Sequence, residues 1–128
     1  MYRIRVLLSL LFLILIIFFL LSCGDESGTP PIQHPFIYEI TGTAARVDIR
    51  YQDPRRGDYT QLFNVPLPWN KDLIYLEPDE VGNSYYLFAQ NITSAGSVIV
   101  SVYVDGILEK TEQTIDPFGF VAIYGTTP

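Results

Sequence analysis

One cysteine and one histidine in 128 residues leave little for redox or metal chemistry. A single Cys excludes an internal disulfide and any cysteine-rich zinc site. A single His removes most imidazole ligand sets and catalytic triads. Charge is sparse too: charged residues make up 17% of the chain, and eight basic against fourteen acidic residues give a net charge of −6. That balance excludes nucleic acid as a partner, because a phosphate backbone is held by clustered Lys and Arg. No window shows a helical apolar stripe with caps, which excludes a helix bundle. Against these absences stand 48% hydrophobic and 14% aromatic residues. The chain is too apolar to remain disordered and has the length for one compact domain.

The apolar residues are unevenly spread. Arg3 and Arg5 precede an uncharged run from Val6 to Leu21. Leu20-Leu21-Ser22-Cys23 then leads into polar Gly24-Asp25-Glu26-Ser27-Gly28. A basic start, an apolar stretch and a small residue before a polar segment are the parts of a signal peptide, here residues 1–22. The four residues ending in Cys23 resemble the lipobox of bacterial lipoproteins, in which the cysteine takes a diacylglycerol thioether and becomes the new N-terminus. Leu21 is bulkier than the residue usual at its place, and an uncleaved single-pass anchor is the alternative. Either way the rest of the chain is expected outside the cytoplasm, in a bacterial cell envelope. Cleavage would remove two basic residues and leave six against fourteen acidic ones, a net charge of −8. Membrane attachment is then expected through lipid on Cys23 and not through surface charge.

Residues 23–35 read as the lipid-attachment cysteine and a flexible tether, small, polar and proline-bearing, with His34 solvated inside it. From Phe36 to Pro128 the period is two almost throughout. Val47, Ile49 and Tyr51 alternate with Arg46, Asp48 and Arg50, and Val98 to Val104 places four valines on one face. Asp53 to Asp58 reads as a turn cluster. Asp105-Gly106 is the strongest hairpin signal, since a type I′ turn needs two positive φ angles. Runs at Phe36–Thr43, Ala45–Tyr51, Tyr59–Val65, Asp72–Leu76, Tyr85–Gln90, Val98–Val104, Ile107–Ile115 and Phe118–Tyr124 predict seven or eight strands. The fold class expected is all-β, a two-layer β-sandwich of immunoglobulin-like type over residues 36–128. Trp69 is placed either as a plug between the sheets or half-exposed at a loop end.

Several phrases occur together in order: Tyr38-Glu39-Ile40-Thr41-Gly42-Thr43-Ala44, Asn64-Val65-Pro66-Leu67-Pro68-Trp69, Ala89-Gln90-Asn91, Gly96-Ser97-Val98 and Val102-Tyr103-Val104-Asp105-Gly106. In these the chain resembles the mycobacterial membrane protein small (MmpS) family through nearly the whole domain. The resemblance implies an exported, membrane-tethered β-sandwich. It also implies an accessory role, without a catalytic site, beside a large resistance-nodulation-division (RND) exporter of the MmpL kind. The chain departs from that family in carrying a lipobox-like segment where members have a transmembrane helix. It also carries Ser101 where some members carry a cysteine.

For chemistry the carboxylates are the only abundant reactive groups. Glu77, Asp79 and Glu80 beside Gly82 and Asn83 read as a solvated acidic turn, since no EF-hand spacing is present. No metal and no cofactor is expected. Catalytic residues are expected to be none, because no serine can be paired with a tether histidine. Arg56-Gly57-Asp58 reads as turn chemistry. Asn91-Ile92-Thr93 matches a glycosylation pattern without bearing on a bacterial protein. Tyr85, Tyr86 and Phe88 carry more aromatic surface than one core face needs. With Trp69 they form the expected contact surface for a protein partner in the envelope, such as a transporter. The function expected is a membrane-anchored, non-catalytic accessory or interaction module. A carbohydrate- or small-ligand-binding envelope lipoprotein is the alternative, favoured by an exposed aromatic groove.

Overall fold

A computed structural model describes residues 28, 30–77 and 83–127. The signal segment, Cys23 and the tether residues 24–27 and 29 lie outside these residues, as do Asp79 and Glu80 of the acidic turn. The chain divides into two units, Met1–Pro30 and Pro31–Pro128, and the strands of the described residues lie in the second.

Among the described residues eight strands follow in chain order: β1 Ile32–Thr41, β2 Arg46–Gln52, β3 Tyr59–Pro66, β4 Trp69–Glu77, β5 Ser84–Asn91, β6 Val98–Val104, β7 Ile107–Thr114 and β8 Phe120–Thr126. They form two antiparallel sheets of four, ordered β4-β1-β6-β7 and β3-β2-β5-β8. This is the two-layer β-sandwich expected. In an immunoglobulin constant domain the first two strands share a sheet, whereas here β1 and β2 lie in opposite layers.

The alternating positions supply the core. Phe36, Tyr38 and Ile40 of β1 and all four valines of β6 face Val47, Ile49 and Tyr51 of β2 and Leu87 and Ala89 of β5, all buried. At about 1.5–3 kcal/mol for each large apolar side chain, this burial is the main force joining the layers, which no disulfide links. The Asp105-Gly106 turn has φ of 52° and 77°, the left-handed pair that the hairpin signal required. In the β2–β3 turn Asp53 accepts the Arg55 N–H on its side chain at 2.9 Å, and Gly57 takes a φ of 73°.

Two boundaries differ from the alternation reading. β1 begins at Ile32, four residues ahead of Phe36, because it extends along β4 with Ile32 opposite Glu77 and His34 opposite Tyr75. His34 is therefore a strand residue and not a solvated tether residue. It is half-buried, with its Nδ1 2.7 Å from Asp105 Oδ2. β4 is also longer than the Asp72–Leu76 run and starts at Trp69, which pairs with Ile40. The Trp69 ring lies 5.6 Å from that of Tyr51, half-buried against the edge of the core.

Edge protection is visible at β7. Lys110 and Glu112 stand opposite Val102 and Val100, on the side of the sheet that faces the core. Charged side chains at inward positions of an edge strand oppose pairing with another chain. Lys110 also donates to the Tyr124 carbonyl at 2.7 Å, which ties β7 of one layer to β8 of the other.

Candidate functional site

The outer faces of the two sheets differ in chemistry. On β4-β1-β6-β7 the outward residues include Glu39, Ile99, Ser101, Tyr103 and Thr111, which are largely bonded to one another. Tyr103 donates to Glu39 Oε1 at 3.3 Å, and the Ser101 and Thr111 hydroxyls lie 3.1 Å apart. The Glu39 charge raises the Tyr103 pKa above the usual tyrosine value.

On β3-β2-β5-β8 the outward positions mix aromatic rings with polar side chains. Register places Tyr59, Gln52, Tyr86 and Tyr124 in one cross-strand row, and Gln61, Arg50, Phe88 and Ala122 in the next. A third row holds Asp48, Gln90 and Phe120, and alternation from Gln61 carries Phe63 to the same side. Tyr59, Phe63, Phe120 and Tyr124 are 54%, 66%, 67% and 71% exposed, far above what a packed ring shows. Tyr86 and Phe88 are half-buried between them.

The rings hold one another and the polar groups among them. Phe88 and Phe120 stack at 5.8 Å, and Tyr59 meets Tyr86 edge-on at 6.0 Å. The Arg50 guanidinium lies 4.6 Å from the centre of the Tyr59 ring, a contact worth about 0.5–1 kcal/mol at an exposed site. Arg50 is thereby laid along the face. Two hollows flank the Tyr86 ring. One, of about 180 Å³, is lined by Asp48, Arg50, Gln61 and Phe88. The other, of about 420 Å³, is lined by Gln52, Tyr59, Tyr124 and Thr126.

Tyr38 positions the first row from inside the core. Its hydroxyl donates to the Gln52 carbonyl at 2.7 Å and accepts the Tyr86 N–H at 3.1 Å. Gln52 and Tyr86 are register partners, so a core side chain stands in the ladder under the row it supports. Burial raises the Tyr38 pKa far above its ordinary value, against the smaller opposing effect of the Tyr86 N–H.

The expected contact set is divided by this arrangement. Tyr86 and Phe88 stand together on the outer face. Tyr85 is a correction: it is 3% exposed and belongs to the core, because its neighbour Tyr86 points the other way. Gly125 opposite leaves the room its ring fills, and burial, with Glu109 second, raises its pKa. Trp69 is a second correction. It opens β4 in the other sheet, against Tyr51 and inside the core edge, so it shares no face with Tyr86 and Phe88. Tyr59, Phe63, Phe120 and Tyr124 join this face from outside the expected set. Their parity opposite to Leu62, Val121 and Ile123 marks them as outward, but which strands adjoin β5 is not written in any single run.

Asn91 is fully buried, and its Nδ2 donates to the Ala95 and Gly96 carbonyls at 3.0 and 3.3 Å. The nitrogen that a glycan would occupy is committed inside the β5–β6 connection. Arg56, Gly57 and Asp58 sit exposed at the β2–β3 turn. Among the described residues no group of three His, Cys, Asp or Glu side chains comes together as metal ligands. The sequence matches no protein-family model and no curated protein.

Proposed function

We propose that the chain is a membrane-anchored, non-catalytic binding module of the bacterial cell envelope, held by lipid on Cys23 and working through the outer face of the β3-β2-β5-β8 sheet. The observation that carries this reading is the concentration of six aromatic side chains on that face, four of them more than half exposed. Exposed apolar surface is costly unless it is used, and patches of this kind mark contact sites. The sole imidazole supports a non-catalytic role: His34 is held against Asp105, both in the β4-β1-β6-β7 layer and away from the aromatic rows of the other sheet. An accessory role beside an RND-type exporter, which the MmpS resemblance implies, falls within this reading as one protein that the face would touch.

The test places a photo-crosslinking amino acid at Phe88 of the full-length chain in cells, with a second variant carrying it at Gln113 on the opposite layer. A covalent adduct from position 88, protein or glycan, and none from position 113 supports the module. Adducts from neither position, or from both alike, refute a specific contact through this face.

A further inference from the structure

Resting on the binding-module reading, we propose that the ligand of the aromatic face is an uncharged polysaccharide, with sugar rings seated in the two hollows on either side of Tyr86. A pyranose has the matching surface. One side of the ring presents C–H groups that lie flat on an aromatic face, and its edge carries hydroxyls that pair with planar amide, guanidinium and carboxylate groups. Both kinds of group alternate here within each hollow. The smaller has the Phe88 and Tyr86 rings beside Arg50, Gln61 and Asp48, and the larger has Tyr59, Tyr86 and Tyr124 around Gln52. Arg50 is already fixed against Tyr59 at 4.6 Å, so little rotamer freedom remains for a ligand to remove.

In every row a ring stands beside a planar polar group: Gln52 among the tyrosines of the first, Gln61 and Arg50 beside Phe88 in the second, Asp48 and Gln90 beside Phe120 in the third. That interleaving of ring and polar group is what the two surfaces of a glycan require. Charge separates it from an acidic polymer, because the chain carries a net −6 and the three rows hold only Arg50 and Asp48 as charged groups, of opposite sign. Edge Lys110, over Tyr124 at 5.6 Å, adds one cation at the margin.

Full-length protein purified in detergent is titrated calorimetrically with neutral hexasaccharides of β1,4-linked glucose, β1,4-linked N-acetylglucosamine, β1,3-linked glucose and α1,4-linked glucose, and with an oligogalacturonate as the acidic control. Saturable binding of at least one neutral probe with Kd of roughly 1 mM or tighter is expected. Tyr86→Ala should weaken it at least ten-fold. Tyr124→Ala, which removes an exposed ring and no core contact, should weaken it several-fold with an unchanged melting curve. Gln113→Ala should leave it unchanged. Binding of no neutral probe, preference for the acidic control, or undiminished binding by both Tyr86→Ala and Tyr124→Ala overturns the proposal. A protein adduct at position 88 in cells together with no sugar binding overturns the glycan and leaves the binding module standing. Neither adduct nor sugar binding overturns both.

Discussion

Replacing Tyr38 by Phe removes one oxygen from the middle of the molecule and tests how the core supports the aromatic face. The ring stays, and with it the edge contact to Phe36 at 5.0 Å and the packing on Tyr51 at 5.8 Å. What is lost is a hydroxyl that bridges the Gln52 carbonyl and the Tyr86 N–H. Leaving two buried backbone groups short of a partner costs about 1–3 kcal/mol, toward the lower end if Gln52 and Tyr86 close onto each other. For a domain of this size each kcal/mol is about 4–8 °C in Tm, so calorimetry of the full-length chain at pH 7 should show a fall of about 4 °C or more. The same substitution has a signature in alkali. The Tyr38 pKa is raised in the folded state, so below the unfolded value near 10 the contribution is constant. Above pH 10 the unfolded tyrosine ionises while the folded one keeps its proton, and stability falls by about 1.4 kcal/mol per pH unit. Tyr38→Phe should remove that share of the slope, which urea unfolding at pH 9, 10 and 11 would read. An unchanged Tm at pH 7 together with an unchanged alkaline slope would refute the bridge.

Asn91→Ala should cost about 2–4 kcal/mol, since four hydrogen bonds within the β5–β6 connection depend on that side chain, and a urea midpoint measures it. Leu87→Ala should cost about 2–5 kcal/mol as a core truncation, while Ile107→Ala, 71% exposed in the original, should stay within about 0.5 kcal/mol. Gly96→Ala should destabilise the domain in the same assay, because φ is 95° and an added Cβ would meet the Ala44 backbone at 2.6 Å. Cys23→Ala should release the domain from membranes or leave the precursor uncleaved, as fractionation and intact mass would show.

Alternation along single runs determined much of the fold before any tertiary contact is considered. Val47, Ile49 and Tyr51, the four valines of β6 and the Asp105-Gly106 turn take the places their pattern requires, because side-chain direction in a strand follows from the period alone. The same rule separates Tyr85 from Tyr86, since neighbours on a strand cannot share a face. Pairing between strands is a different matter. That β5 lies between β2 and β8 is decided by contacts far apart in the chain, and only that order assembles Tyr59, Tyr86, Phe88, Phe120 and Tyr124 into one surface. The place of His34 was settled in the same way, since the partner that draws β1 out to Ile32 is β4, some forty residues later in the chain. Local sequence carries the direction of each side chain. Which side chains meet depends on how the two layers close over their shared core, and the candidate site belongs to that closure.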